Sequence, residues 1–531
     1  MVETHNLIHL GLATSSVASP QGRFSIDQVF DSIITAKEGF SMINQQYNIA
    51  QRILAELQKD ANRVVFETKR GPMTAGRFAN MIISFGIHLQ HRGVVQGSVI
   101  GLDCVHGPVG FALTLASTLN GATWVNVNKA ILNAKLHMDI VVHNTPKEII
   151  GANVHKITPE WFKAPEGFKP PVTFPGYKTE DDIWMVAQSS GTTGSIKFMP
   201  ITYKQWFARA TDLERRKVRF PGKHGQFCSL FHPLKSTSQS DVQAAVLNGT
   251  KVLLTFPSYD DMRTVKDLVV MGSLSQMEFT IKDAAEPTTP IDTSINLNGS
   301  AVSAQQIDRF LRYFKSVWVE YGATETTKTA MKPITEAGTY NGSVGAILPG
   351  TEYRIIDDEG NDAEEGQLLL KTEGMITGYI NEPELTAAHF IDGWFYTGDI
   401  ASYINGELFL KGRQSDSLNI GGVKIDPAKI DAVLKEVPGI KDAITFQNPE
   451  FPTYNQLQAL IVADGDHKII GDAAAAAMME KFGITRLPRR VFFVNSIPQN
   501  ENGKPMRKEA AELVKGKEPV VIINYKPQGK E

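Results

Sequence analysis

Between about residues 99 and 320 short apolar runs alternate with helix-patterned ones, and nothing else in the sequence restricts the fold as strongly. Val99–Leu102, Thr123–Val127, Ile140–Val142, Val252–Phe256 and Val317–Glu320 read as strands, while Val109–Leu119, Val242–Leu247, Met262–Met271 and Ala304–Phe314 read as helices. Strand–helix alternation implies parallel strands joined by helical crossovers that cover the sheet. The fold class expected is α/β: a large N-terminal domain of parallel and mixed sheets flanked by helices. Upstream, a helix is predicted over Tyr47–Leu57, a strand over Arg63–Thr68 with a turn at Gly71-Pro72, and a helix over Met81–Leu89.

From Thr351 the texture changes. Glu352–Ile356, Gln367–Lys371 and Glu407–Lys411 read as strands joined by Gly/Asp/Asn turns, a small β subdomain. Residues 412–425 are glycine-rich and polar, as a linker or hinge is. Helices near Pro427–Leu434 and Ala473–Phe482 and strands near Gln458–Val462 and Val491–Val494 then form an α+β unit. The division expected is an N-terminal extension over 1–45, a main domain over 46–415, and a small mobile domain over 416–531. A chain of 531 residues is too long for one core. The net charge of −3 gives no electrostatic case for nucleic acid or an anionic membrane surface. Two distant cysteines, Cys104 and Cys228, fit free thiols in a reducing cytoplasmic setting. No apolar run reaches transmembrane length.

Four segments carry chemistry. Ser189–Lys197 reads SSGTTGSIK, with Gly191 and Gly194 set among the hydroxyls of Ser189, Ser190, Thr192, Thr193 and Ser195. Glycines allow close backbone approach, consecutive N–H groups cradle anions, and Lys197 adds positive charge, which together suit a polyphosphate. The spacing is not that of a Walker A loop, and by itself such a loop is equally a solvated turn. Tyr321-Gly322-Ala323-Thr324-Glu325 follows the Val317–Glu320 strand, and ligands bind at the carboxyl ends of parallel strands. Tyr321 offers a flat face for a base, Thr324 a donor, and Glu325 a hard oxygen ligand for Mg²⁺. In Tyr396-Thr397-Gly398-Asp399 the aspartate suits adjacent hydroxyls, as on a ribose. Pro498–Lys504 reads as a mobile loop tipped with one lysine. Each of the last three is also compatible with an ordinary turn. His88 and His91, three apart on a helical pattern, have no third ligand and read as a surface pair.

Taken in order, SSGTTGSIK, GSVGAILPG (342–350), YGATE, GMITGY (374–379), YTGD, GRQSDSLNIGGVKI and NENGK resemble the core motifs of the adenylate-forming superfamily, over about residues 50–508. That superfamily includes acyl- and aryl-CoA synthetases and nonribosomal peptide adenylation domains. The resemblance implies that Ser189, Ser190, Gly191, Thr192, Thr193, Gly194 and Lys197 hold the β- and γ-phosphates of ATP. It implies that Tyr321 and Gly322 lie against adenine, lined by Gly299-Ser300, with Thr324 on the α-phosphate and Glu325 on Mg²⁺. Asp399 and Arg413 would grip the ribose. Asp416 would be the hinge, Lys504 the catalytic lysine of adenylation, and Gly421-Gly422 the lining of a thiol tunnel. Phe231-His232 matches the segment beside the acyl pocket. Ile196 and Phe198 depart from the usual proline and glycine, Asn419 from a lysine, and Lys235 from a small residue.

The function implied is ATP-dependent activation of a small carboxylic acid to an acyl-adenylate, followed by transfer to the thiol of CoA. The runner-up acceptor is the phosphopantetheine of a carrier protein. A non-catalytic nucleotide-binding protein on the same fold is the distant alternative, against which the presence of Lys504, Glu325 and Asp399 argues. The acid pocket is expected between the strands preceding Gly299 and Tyr321, with the His232 segment closing it. Asn296 and Asn298 share a face of one strand, and Glu320 precedes Tyr321 on the other, with Lys235 and Lys328 approaching. Either Glu320 and Lys235 pair with each other, or point to solvent, around an ordinary apolar pocket, or the pocket is polar because the acid is: an amino-, hydroxy- or dicarboxylic acid.

Overall fold

The computed structural model of the chain describes residues 45–104, 107–144, 153–163, 165, 173–190, 196–211, 225–254, 258–299, 301–413, 418–420, 423–425, 427–448, 457–482, 487–499 and 505–522. Two compact units are present: Met1–Ala187 with Pro200–Phe256, and Gln188–Met199 with Pro257–Glu531. The expected extension over residues 1–44 and the expected boundary at 415–416 lie outside the described residues.

In the first unit strands line up in the order Val154–Lys156, Ile140–His143, Val99–Asp103, Thr123–Asn126 and Ile183–Ser190, the last of which passes into the second unit at Gln188; Ile196–Met199 of the Ile196–Thr202 strand also belong to the second unit. The first four junctions are parallel. Parallel neighbours need crossovers, and the Gly107–Leu119 helix supplies one between Val99–Asp103 and Thr123–Asn126. Every residue from Gly110 to Leu119 is buried, as befits a helix apolar all round. Trp184 stacks on Trp206 at 4.0 Å and meets Trp124 edge-on. The indole N–H groups of Trp184 and Trp206 donate to Thr118 Oγ1 and Gln243 Oε1, so the large rings bury without orphaned donors. Cys104 and Cys228 are free, buried thiols.

Two sequence expectations fail in this unit. Gly71 and Pro72 are not the turn but the start of the Gly71–Thr74 strand, paired with Thr68 and Glu67. Proline is accepted there because the strand lies at the sheet edge. His88 is not at the surface. It is 4% exposed, its Nε2 lies 2.8 Å from Lys163 O and 3.0 Å from Glu160 O, and its ring stacks on Trp161. Burial lowers its pKa, so it is a neutral packing residue.

In the second unit Leu268–Gly272, Ile291–Leu297 and Phe314–Ala323 run parallel. Thr327–Ile334 then returns antiparallel to Phe314–Ala323, and Ala346–Ile347 follows it. The helix expected over Met262–Met271 is instead a short helix, Tyr259–Arg263, and a strand, Leu268–Gly272. All five strand residues are buried, so the run shows no alternation to distinguish it from a helix. Asp267, at φ +50°, breaks the chain between the two.

The β subdomain is an antiparallel sheet of Thr351–Ile356, Glu365–Thr372, Trp394–Ile404 and Phe390–Ile391, with Glu407–Arg413 beside Trp394–Ile404. Further on, Ile440–Gln447, Leu457–Ala463, Arg490–Phe493 and Val521–Ile522 form a four-stranded sheet. The Pro427–Glu436 and His467–Phe482 helices contribute Ile430, Val433, Leu434, Ala474 and Met478 to its core. Among the described residues no helix is long and apolar enough to cross a membrane.

One glycine decides how closely the two strands at residues 314–334 approach. A Cβ at Gly322 would meet Lys328 Cα at 2.7 Å and the Thr327 carbonyl carbon at 2.9 Å. Backbone cannot yield as a side-chain tip can. Gly322→Ala is therefore expected to destabilise the protein by about 1–3 kcal/mol through overpacking. Urea unfolding compared with Gly406→Ala, whose added Cβ meets nothing within 4 Å but whose φ of +82° carries backbone strain alone, checks this: the loss at Gly322 is expected to be the larger.

Candidate active site

The strand after the third parallel position does not stop at Glu320. It runs through Ala323, and the chain reverses over Thr324–Thr326, closed by Thr326 N–H donating to Ala323 O. Tyr321 and Gly322 are thus strand residues rather than loop residues. The register shifts between Tyr321 and Gly322, where Thr329 is the extra residue on the returning strand. A bulge of this kind re-aims side chains beside functional sites.

Tyr321 on this hairpin meets two groups from neighbouring strands of the β subdomain. The Tyr321 hydroxyl donates to Asp399 Oδ2 at 2.6 Å, and Arg413 Nε donates to Asp399 Oδ1 at 2.8 Å. Asp399 and Arg413 face each other across neighbouring strands, which sets that geometry. Burial, then the Asp399 carboxylate, raises the Tyr321 pKa well above its ordinary value, so the phenol keeps its proton and donates. The structure therefore brings Tyr321, Asp399 and Arg413 together.

Glu325 lies in the reversal itself and is 8% exposed. Its Oε1 accepts from Tyr379 Oη at 2.9 Å, and Lys197 Nζ sits 4.9 Å from the centre of the Tyr379 ring. Lys197 is half-buried on the Ile196–Thr202 strand. Sequence reasoning marked the segment 374–379 but gave Tyr379 no role. The available signal was an aromatic residue closing a glycine-containing motif. Thr324 is half-buried between Tyr321 and Glu325 in the chain.

Glu320 has a buried partner within its own unit, on the returning strand. It pairs with Lys328, Nζ to Oε2 at 3.1 Å, with side-chain exposures of 0% for Glu320 and 11% for Lys328. Asn298 Nδ2 donates to the same oxygen at 3.4 Å, and Lys328 Nζ lies 3.4 Å from Met271 Sδ. The bulge explains the choice: Lys328 sits opposite Gly322, within reach of Glu320. Lys235 instead lies over the Phe231 ring at 5.6 Å and begins the Ser236–Leu247 helix. His232 Nδ1 accepts from Leu234 N–H. Phe231, His232 and Lys235 belong to the first unit. Asn296 is buried, and Gly299, at φ +89°, follows Asn298 with open space where a Cβ would stand.

The Ile183–Ser190 strand carries the chain to Ser189 and Ser190. Gly191, Thr192, Thr193, Gly194, Ser300, Asp416, Gly421, Gly422 and Lys504 lie outside the described residues. Among the described residues no group of three or more His, Cys, Asp or Glu side chains is arranged to hold a metal.

The family of AMP-binding enzymes matches residues 54–380, and the chain belongs to that family. A fatty acid–[acyl-carrier-protein] ligase, MmaC of Mycobacterium marinum, is 28% identical over 381 residues, 64% of this chain and 70% of that protein. An oxalate–CoA ligase of Arabidopsis thaliana is 30% identical over 198 residues, a stretch spanning 38% of its length. O-succinylbenzoate coenzyme A synthetase (MenE) from Bacillus subtilis, in complex with AMP, superposes with a TM-score of 0.75 at 18% identity, covering 86% of this chain and 97% of that one. ATP-bound MatB from Rhodopseudomonas palustris superposes at 0.74 and 19% identity, covering 89% and 99%. The chain shares their fold.

The Glu320–Lys328 pair makes a sharp energetic test. Glu320→Leu removes the carboxylate 3.1 Å from the buried Lys328 ammonium and is expected to cost about 3–5 kcal/mol, whereas Glu320→Leu with Lys328→Met recovers part of that loss. Equilibrium denaturation of the two variants checks this; equal instability of both would contradict it.

Proposed function

We propose that this chain is an AMP-forming acid–thiol ligase that activates a carboxylic acid with ATP and passes the acyl group to the thiol of CoA. The observation that supports this best is that one hairpin reaches two anchored carboxylates: Asp399 between Tyr321 and Arg413, and Glu325 beneath Tyr379. The first suits ribose hydroxyls. The second suits the metal that accompanies a nucleotide.

The donor set fits Mg²⁺. The Glu325 carboxylate is a hard oxygen ligand, and Mg²⁺ in nucleotide sites takes one or two carboxylates plus substrate phosphates. When bound, the ion offsets phosphate charge during displacement. The chain's own residues would do the rest. Asp399 and Arg413 would fix the ribose, the Tyr321 ring would lie against the base, and Thr324 would donate to an α-phosphate oxygen. Gly299-Ser300 would line the base, and the Ser189–Lys197 loop would hold the outer phosphates. An acid oxygen attacks the α-phosphorus, the bond to the bridging oxygen breaks, and pyrophosphate leaves with the electron pair. Lys197 and Lys504 would stabilise the charge that develops. The thiol sulfur then attacks the acyl carbon, its proton passes to solvent, and AMP departs.

Residues 416–531 would act as a mobile domain turning about Asp416, withdrawing Lys504 and presenting Gly421-Gly422 to the thiol arm. On this reading Lys504→Ala loses adenylation by about 10²-fold or more yet still forms thioester from supplied acyl-adenylate. Measuring the two half-reactions separately checks it; equal loss of both would contradict the assignment.

The acceptor has a second reading, a carrier-protein phosphopantetheine, favoured by the likeness to an acyl-carrier-protein ligase. Turnover with CoA alone separates the two. For the acid, the buried Glu320–Lys328 pair and Asn298 lie at the carboxyl ends of two neighbouring parallel strands, where ligands bind in such sheets. Polar groups held there favour a hydroxy-, amino- or dicarboxylic acid over a fatty chain, which would leave them facing hydrocarbon. Pyrophosphate release across both kinds of acid is expected to be faster with the hydrophilic set. Preferential turnover of long-chain fatty acids would overturn this choice of substrate.

A further inference from the structure

Residues 375–380 have no regular secondary structure, yet they are tied at both ends to the residues that carry charge in the site. Ile376 N–H donates to Glu325 O at 3.0 Å, and Ile380 N–H donates to Phe198 O, next to Lys197, at 2.9 Å. Between these two ties stands Tyr379. Its N–H donates to Thr386 Oγ1, and its ring packs edge-on against Phe390 at 5.5 Å. The side chain is 7% exposed and fixed from several sides. Its hydroxyl reaches Glu325 and its face meets the Lys197 ammonium.

We propose that Tyr379 is a positioning residue that couples the metal-facing carboxylate Glu325 to the phosphate-facing cation Lys197. The proposal rests on the nucleotide reading given above. One side chain serves two opposite charges by different means. The hydroxyl donates to the carboxylate and fixes its rotamer, while the electron-rich ring face attracts the ammonium. Without this residue the carboxylate and the lysine would be drawn to each other, shortening the gap that a metal-bound polyphosphate must enter. With it, each is held in place before the nucleotide arrives. Preorganisation of this kind lowers the cost of ordering charged groups on binding.

The test is equilibrium binding of ATP to the full chain by calorimetry, across a series of Mg²⁺ concentrations, with thermal unfolding followed in parallel. Tyr379→Phe keeps the ring and removes the hydroxyl. It is expected to raise the Mg²⁺ concentration for half-maximal ATP binding by about 10-fold or more, the worth of one hydrogen bond to a carboxylate, with affinity at saturating Mg²⁺ little changed. Tyr379→Leu removes the ring as well, and is expected to weaken ATP binding by about 3- to 10-fold even at saturating Mg²⁺. In a Glu325→Gln background the metal shift caused by Tyr379→Phe should vanish, because the charged carboxylate that the hydroxyl positions for the metal is already gone. A Tyr379→Phe variant with unchanged metal dependence overturns the proposal. So does a shift that persists in the Glu325→Gln background, which would mark Tyr379 as a packing residue only. Failure of the unaltered chain to bind ATP at any Mg²⁺ concentration overturns the nucleotide reading, and this proposal with it.

Discussion

A ten-residue strand closes the run of parallel strands in the second unit and folds back on itself between Ala323 and Thr327. That reversal is the constraint on which the candidate site depends. A parallel strand ordinarily hands its chain to a helix, leaving its carboxyl end open to a ligand. Here the chain returns at once, so residues on both sides of the turn stay at that end. Glu320 and Lys328 meet across it, Tyr321 extends to Asp399, and Glu325 sits in the bend under Tyr379. Gly322 allows the close approach, and the bulge at Thr329 offsets the two strands so that charges of opposite sign meet.

Among the described residues, the charged groups expected to face the nucleotide or the acid have partners of complementary character. Asp399 has Arg413 and Tyr321, Glu320 has Lys328 and Asn298, Glu325 has Tyr379, and Lys197 has an aromatic face. An isolated charge in such surroundings would be costly and would move toward the nearest opposite one. Held in pairs, the groups keep fixed positions without collapsing onto each other. This is the condition for electrostatic stabilisation that needs no rearrangement during reaction.

Much of this was legible in the residues. The order of the glycine-containing motifs identified the family, and most strands and helices fell where period and turn residues placed them. The failures have physical causes. Leu268–Gly272 is buried on both faces, so it carries no alternation and looks helical. His88 has a polar side chain on an apolar helix face, and only the fold shows the two carbonyls that receive it. The partner of Glu320 depends on a one-residue bulge, which no spacing rule reveals. Tyr379 lies 54 residues from Glu325, and a single tyrosine at that distance has no local signature.

The central claim is that these carboxylates and cations serve the reaction of a carboxylic acid with the α-phosphate of ATP. Isotope exchange between labelled pyrophosphate and ATP measures that step alone, with no thiol present. The expected result is label entering ATP only when a hydrophilic carboxylic acid and Mg²⁺ are both supplied, with exchange lost in Glu325→Gln. Cleavage of ATP to ADP and phosphate, or exchange indifferent to the acid, would contradict it.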